Sequence, residues 1–242
     1  MISTVTGANS PRRFRLFRGL ALPKEDVDRA VETLLQRGHQ PQLAKREVYQ
    51  KRLSNRAEIM QLPRITLKDI QGSNREWIPS VCACGDEAGA SHYAWKRSDP
   101  SLTPIMMEVE VPLHRLVVDG NDFLFRIFSR GIPELAGPYV ERMFGPAAMS
   151  YARRAWSRPR GDEERMALCE LAILDPEVVA HHHANSITIK GGTQTVFASA
   201  FTIRLPLEAN EIVRVWQPTE PAAPSPETVD LNHLIDHKDV DG

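Results

Sequence analysis

The order of periodic segments along the chain constrains its fold more than any single residue does. Residues 14–20 alternate apolar and basic side chains, as a half-buried strand does, and Pro23 then opens a helix that ends before Gly38. A second helix is predicted from Gln42 to Met60. The last third instead predicts consecutive strands, at residues 178–179, 186–189, 195–205 and 210–216. Helices toward the front and a meander of strands at the back predict an α+β fold rather than repeated βαβ units.

The middle of the chain contains both the hydrophobic period of strands and that of helices. Strands are predicted at Trp77–Ala83, at Ile105–Val111, whose strict alternation is of the antiparallel type, and at Leu116–Val118. Helices are predicted after residue 85 and from Glu134 to Trp156, the second with a break near Gly145-Pro146.

The 242 residues suffice for one domain, which we assign to residues 1–216. Residues 217–242 begin with a proline-rich stretch and continue as a mostly acidic one, which predicts a disordered tail. Leu231, Leu234 and Ile235 lie at helical spacing within it. A partner that folds this piece and a solvated tail without a partner both remain open.

The charge and the cysteines exclude several classes of protein. A formal net charge of -1 argues against a molecule that binds polyanions with its whole surface. Three cysteines cannot all pair, which suits a reducing cytoplasm. No stretch approaches the roughly 18 to 20 apolar residues of a membrane span, and no signal core is present at the amino terminus. We therefore expect a cytoplasmic protein with no membrane partner.

Glu170 stands in the middle of an apolar run from Met166 to Leu174. The run is short and is bounded by turn-forming residues, so we predict a buried strand there. Burying a carboxylate without a partner costs roughly several kcal/mol of folding free energy. Glu170 should therefore have a partner or face a cleft. Acidic residues in clefts are candidates for a functional site.

Other motifs point to anion binding more than to metal binding. Arg18 lies near the end of the first predicted strand, where its guanidinium can meet a phosphate while Gly19 permits a close approach. No P-loop and no dinucleotide-binding glycine pattern is present. Three consecutive residues, His181 to His183, cannot all face one ion on an extended segment, so we predict a solvated connector and no metal.

The order of these features resembles the ADP-ribosyltransferase family, which splits nicotinamide from NAD and transfers the ADP-ribosyl group. Phe17-Arg18-Gly19 is similar to its first motif, Ser80 to its second, and Cys169-Glu170-Leu171 to its third. The resemblance implies a split, mixed or antiparallel sheet flanked by helices. It also implies that Arg18 binds the NAD phosphates, that Ser80 supports the nicotinamide pocket, and that Glu170 is catalytic.

The chain departs from the family pattern at two motifs. Ser80 is followed by Val81 and Cys82 instead of a richer Ser-Thr-Ser pattern, and Leu168 stands where the family often has Gln or Glu. Glu211 is an alternative catalytic residue, because Asn210-Glu211-Ile212-Val213 resembles the strand of the poly-ADP-ribose polymerases. Tyr93 either stacks on nicotinamide or is a core tyrosine.

The segment before Glu170 predicts the acceptor. It combines arginines with a tryptophan, namely Arg153, Arg154, Trp156, Arg158 and Arg160. Arginines contact phosphates and an aromatic ring stacks on an unpaired base, so a nucleic acid is the predicted acceptor. The resemblance is closest to bacterial nucleic-acid-targeting (DarT-like) toxins, which implies phage defence and an antitoxin partner. A protein acceptor, or a non-catalytic nucleic-acid-binding module, is the alternative.

Overall fold

The structure is a computed structural model and describes residues 12–41, 46–49, 55–71, 77–96, 99–119, 121–157, 161–191 and 196–236. Its strands are β1 Arg13–Pro23, β2 Arg46–Tyr49, β3 Trp77–Cys84, β4 Leu102–Pro112, β5 Leu116–Val118, β6 Thr188–Lys190, β7 Val196–Phe197, β8 Ala200–Arg204, β9 Ile212–Trp216 and β10 Thr228–Asp230. Its helices are α1 Val27–Arg37, α2 Arg56–Ile59, α3 Leu67–Gln71, α4 Glu87–Trp95, α5 Asn121–Arg130, α6 Pro133–Trp156, α7 Asp162–Ile173 and α8 Pro176–His183.

The main sheet confirms the predicted α+β class. Its strand order is β5-β8-β3-β1-β4-β9, with β2 added beside β3, and its paired strands are antiparallel. A smaller sheet has the order β10-β6-β7, in which β10 and β6 are parallel. Helices α5 to α8 form a layer in which His182 and His183 of α8 contact Phe201 and Phe14 of the sheet. The core lies between this layer and the sheet.

The main sheet nearly separates into two halves between β1 and β3. Strand β1 pairs with β4 over its full length, from Arg13 to Pro23, and β3 pairs with β8 from Ser80 to Cys84. Strands β1 and β3, in contrast, share one pair of Cα partners, Phe17 and Cys84. Strand β2 pairs with β3 along residues 77–80. Because β8 already covers the opposite edge of β3, β2 lies on the edge that β1 leaves.

Most of the predicted elements in the first half are confirmed. Alternation in β1 buries Phe14 and Leu16 and exposes Arg13 and Arg15, as the pattern indicated. The helix that follows Pro23 ends at Gly38, whose φ of 70° is unfavourable for other residues. Helix α6 contains a non-helical residue at Gly145, where a break was predicted. The helix predicted from residue 42 to 60 is wrong for Arg46–Tyr49, which form strand β2, and is confirmed for Arg56–Ile59, which form helix α2.

The strand predicted around Glu170 is also wrong, because Asp162–Ile173 is helix α7. This helix packs against α3, α5 and α6. Because it is buried on most sides, its apolar residues do not recur at the spacing of an amphipathic helix, and the sequence shows no helical period. Three acidic residues in its first turn, Asp162 to Glu164, favour a helix start through the helix dipole. Residues 178–179 are helical too. Asp175 caps α8 by accepting from the Glu177 amide, and Pro176 occupies its first turn.

The predicted disorder after residue 216 is wrong for the end of the described chain. Strand β10 pairs with β6, and Leu231, Leu234 and Ile235 are buried in the protein's own core. The backbone of this segment binds the junction of α5 and α6, where the Ile132 amide donates to the Leu234 carbonyl. These apolar residues therefore have a partner within the domain. Residues 237–242 lie outside the described part.

His182 joins the helical layer to the sheet. The amide of Ala200 donates to its Nε2, at 3.2 Å, so Nδ1 carries the proton and donates to the carbonyl of Met143 at 3.1 Å. The ring also stacks on Phe144 with 4.4 Å between centroids. Burial lowers the pKa of His182 to about 3, because a charged ring loses its hydration in this position. In the protonated ring, Nε2 could also no longer accept the hydrogen bond from the Ala200 amide. The predicted solvated connector is therefore wrong.

This burial makes stability dependent on pH. The imidazole has an ordinary pKa of 6.5 in the unfolded chain and a pKa of about 3 when folded, so its contribution is complete above the first value and is lost as the pH falls toward the second. We expect the free energy of unfolding, measured with urea, to fall by roughly 1.4 kcal/mol per pH unit through this histidine. His182→Phe should remove that part of the slope, whereas His233→Gln, at an exposed position, should not. Equal slopes in both variants would contradict the assignment.

Candidate functional site

Arg18 lies where β1 and β3 separate, one residue after Phe17, which makes the last shared pair. Its Nη1 donates to the carbonyl of Cys82 at 2.5 Å. At this position β1 and β3 are no longer paired, so the guanidinium takes the place of a backbone N–H donor from β1. Its Nε is buried without a hydrogen-bond partner. Burial lowers the pKa of Arg18, and among the described residues no carboxylate contacts it.

Such a cation has the chemistry of an anion-binding residue. Arginine stays protonated in proteins, so Arg18 retains a buried charge whose balancing anion is not among its described contacts. An unmade hydrogen bond of a buried donor costs roughly 1–3 kcal/mol, and an oxyanion that accepts from Nε removes that cost. Arg18 lies in the middle of β1 and not near the strand's end, and its role as a phosphate contact stays a prediction.

Gly19 has a different role from the predicted one. A Cβ at this position would lie 1.9 Å from the carbonyl oxygen of Ala90 and 2.7 Å from the amide nitrogen of Ala94. Both are backbone atoms of α4. The absence of a side chain therefore lets α4 pack on β1, and the close approach is to a helix of the same protein.

Ser80 is fully buried on β3, between Arg46 of β2 and Arg204 of β8 in the backbone register. Because side chains alternate along a strand, the Phe17–Cys84 pair puts Ser80 on the face of Cys84 and puts Arg18 on the opposite face. Arg18 and Ser80 therefore lie on opposite faces of the sheet, and β2 covers the edge of β3 at Ser80.

Tyr93 is half-buried on α4, packed against the core. Its ring makes an edge contact with His92, at 5.4 Å between centroids, and Lys96 Nζ lies 5.6 Å from the ring centre. These contacts agree with the core tyrosine that the sequence left open. Stacking of Tyr93 on nicotinamide stays a prediction.

Glu170 is not among the described contacts of Arg18. It is half-buried on α7, between the buried residues Cys169 and Leu171, and the principal contacts of α7 are with other helices. The premise of a buried strand was wrong, and with it the placement of this carboxylate beside a sheet cleft.

Glu211 is buried but belongs to a structural network. Both of its carboxylate oxygens accept from Arg115 Nη1, at 2.7 and 2.6 Å, and it forms a capping box with Glu208. It also lies 3.7 Å from Arg13, which is five residues before Arg18 and about 17 Å from it along the strand. Neither candidate glutamate is therefore placed beside Arg18.

Part of the predicted nucleic-acid segment stabilises the fold. Arg154 donates to the carbonyls of Met60 and Leu62, and it lies 3.6 Å from Glu164. Trp156 donates through Nε1 to the carbonyl of Ile127 at 3.0 Å. Arg153 is exposed. Arg158 and Arg160 lie outside the described residues. The contacts of Arg154 and Trp156 leave Arg153 as the exposed arginine of this segment within the described range.

His39 was missed by the sequence analysis. It is 6% exposed, and its Nδ1 is buried without a hydrogen-bond partner. Burial and then the charge of Arg18 lower the pKa of His39. A histidine directly after the glycine that ends α1 gives no periodic signal, and its burial follows from its backbone pairing with Leu207, which is remote in sequence.

The described residues contain no group of three His, Cys, Asp or Glu side chains that could hold a metal ion. Among the described helices, none combines the length and apolar content that a membrane crossing requires. Comparison with protein-family models, with curated proteins and with solved structures finds no match to this chain. Functional inference therefore rests on the chemistry of the site.

The ion pair of Glu211 predicts a loss of stability on substitution. Glu211→Gln removes the charge that balances Arg115, whose side chain is 15% exposed, and we expect the free energy of unfolding to fall by roughly 3 kcal/mol. Urea titration measures the change. Glu220→Gln, at an exposed position, is the control and should change stability little. A Glu211→Gln protein as stable as the control would contradict the structural role.

Proposed function

We propose that the protein binds NAD at the gap between β1 and β3, and that Arg18 contacts its pyrophosphate. The observation that carries the proposal is the partly buried guanidinium of Arg18, whose buried Nε is unpaired among the described residues and which no described carboxylate contacts. A pyrophosphate supplies both the missing charge and the missing acceptor.

Two further observations support this ligand class. The sheet separates between β1 and β3, so that the edge of β3 between its pair with β1 at Cys84 and its pair with β2 at Ser80 has no described strand partner. Phe17-Arg18-Gly19 and Ser80 are also two of the three motifs on which the resemblance to ADP-ribosyltransferases depends, and the third, at Glu170, lies on helix α7. A split sheet of the ADP-ribosyltransferase type remains part of the proposal.

The geometry favours NAD binding over the transfer of ADP-ribose. Transfer needs a carboxylate beside the nicotinamide ribose, to stabilise the positive charge that develops when nicotinamide leaves. Glu170 is on a helix of the helical layer, and Glu211 is paired with Arg115. Transfer to a nucleic acid and an antitoxin partner are therefore implied by the resemblance alone, and the proposal is confined to NAD binding.

Isothermal titration calorimetry with NAD tests the proposal. We expect wild-type protein to bind NAD and Arg18→Gln to bind at least about tenfold more weakly, because charge-assisted hydrogen bonds contribute roughly 1.5–3 kcal/mol. Arg18→Lys keeps a charge without the fork and should also weaken binding. Arg12→Gln, at an exposed position one residue before β1, is the matched control. Thermal melts of each variant show whether it folds.

Two outcomes would overturn the proposal. Wild-type protein that fails to bind NAD at millimolar concentration rules out the function, and equal binding by folded Arg18→Gln rules out the site. Nicotinamide release is measured in the same samples with Glu170→Gln and Glu211→Gln. Release that only Glu170→Gln abolishes would show that α7 carries a catalytic carboxylate, contrary to its position in the helical layer.

A further inference from the structure

An open groove of about 480 Å³ lies between helix α1 and strand β9. Strand β9 is the last strand of the main sheet, and β4 stands between it and β1, so the groove is separate from the gap beside Arg18. Among the described strands, none pairs with the outer edge of β9. Such an edge presents backbone N–H and C=O groups to which another chain can add a strand. The groove therefore combines a cavity with an edge that can accept a strand.

The walls of the groove are mostly apolar. Val27, Val31 and Leu35 recur every four residues along α1, and Val215 and Trp216 line the groove from β9. Residues spaced by four lie on one face of a helix, so the three α1 side chains form a row about 12 Å long. Alternate side chains of an extended peptide are about 7 Å apart, so two of them fit along this row.

Apolar side chains are exposed on both sides of the groove. Leu35 of α1 is 45% exposed, and Val213 of the edge strand is 52% exposed. Apolar side chains that are exposed singly are ordinary on protein surfaces. Those that stand beside a cavity and a sheet edge have the features of a surface that binds an extended peptide.

Two carboxylates, Asp28 and Glu32, line the groove on the α1 side. They are four residues apart, so they lie on one face of the helix and repel each other. Glu32 accepts a hydrogen bond from the Gln36 side-chain amide at 2.8 Å, and Arg29 pairs with Asp26. Among the described residues, no cation is paired with Asp28 or Glu32. The complementary occupant of the groove is therefore basic.

The charges also distinguish between a second copy of this chain and a different partner. Arg214 of β9 is already paired with Glu108, and its guanidinium lies 4.0 Å from the centre of the Trp216 ring. Pairing of β9 with β9 of a second copy around a two-fold axis would place the two α1 helices, with the same acidic face, side by side. Like charges disfavour this contact, so a basic partner suits the groove better.

We propose that the groove between α1 and β9 is a docking site for an extended basic segment of a partner protein, which adds to β9 as a strand. Its apolar side chains enter the groove against Val31 and Leu35, and its lysine or arginine side chains pair with Asp28 and Glu32. Hydrogen bonds from its backbone extend the main sheet beyond β9. The docking site requires no bound NAD, because it lies at a different edge of the sheet.

Fluorescence anisotropy with a labelled peptide, Lys-Thr-Val-Thr-Val-Thr-Lys, tests the proposal. Its valines and lysines share one face of an extended strand. We expect wild-type protein to bind it, and Leu35→Ser and the double variant Asp28→Asn/Glu32→Gln each to bind about three- to tenfold more weakly. The matched controls at exposed positions of α6, Leu135→Ser and Glu134→Gln/Glu141→Gln, should bind as wild type does.

N-methylated peptides test whether the segment adds as a strand. In a strand, the N–H groups of alternate residues point to opposite edges. Methylation of the three threonine amides or of the two valine amides should therefore abolish binding in one peptide and leave it nearly unchanged in the other. Binding that both methylated peptides retain would overturn strand addition.

Three other outcomes would overturn the proposal. The first is wild-type protein that does not bind the peptide at millimolar concentration. The second is equal binding by wild-type protein and the folded Leu35→Ser and Asp28→Asn/Glu32→Gln variants, with folding checked by thermal melts. The third is a wild-type dimer in sedimentation velocity that Leu35→Ser dissociates, which would assign the groove to a second copy.

Discussion

Arg18 carries a positive charge at the point where strands β1 and β3 separate, and the packing of the neighbouring strands and helices has to accommodate this charge. A single Cα pair, Phe17 with Cys84, joins the two halves of the sheet. One residue later the guanidinium, and not the backbone, binds the carbonyl of Cys82. The charge loses hydration without gaining a described carboxylate, which lowers its pKa. The gap therefore holds a desolvated charge at the point where the two halves of the sheet share a single pair.

Such a gap persists because contacts outside it hold the two halves together. Helix α4 packs closely on β1 at Gly19, and Asp86 at the start of that helix accepts hydrogen bonds from Gly89, Ala198 and Ser199. The Asp86 carboxylate thereby links α4 by hydrogen bonds to the segment that leads into β8. Glu211 and Arg115 join β9 to the end of β8 on the other side. The halves are fixed by helix packing and ion pairs, so the strands between them need few bonds of their own.

The sequence predicts elements wherever one face meets solvent. Phe14 and Leu16 alternate with exposed arginines in β1, and α4 follows its capping residue, so local patterns suffice for both. They fail for α7, because Leu168 and Cys169 are buried on adjacent sides and no period is visible. They fail again for Leu234, whose binding site on the α5–α6 junction is remote in sequence. In the candidate site, Arg18 was predictable as a residue, while its hydrogen bond to the carbonyl of Cys82, which is 64 residues away in sequence, depends on a tertiary approach that no local pattern encodes.

Burial of a charged residue locates a functional site only when its hydrogen bonds are also counted. Glu211 is buried, yet Arg115 and its capping box satisfy its carboxylate, so its charge is used within the fold. Glu108 is buried as well, and it is paired with Arg15 and Arg214. Arg18 differs from both, because its described contact is a neutral carbonyl and its Nε has no hydrogen-bond partner among the described residues. Glu211 and Glu108 thus use their charges within the fold, whereas the charge of Arg18 is left without a described carboxylate, and a phosphate has the chemistry to balance it.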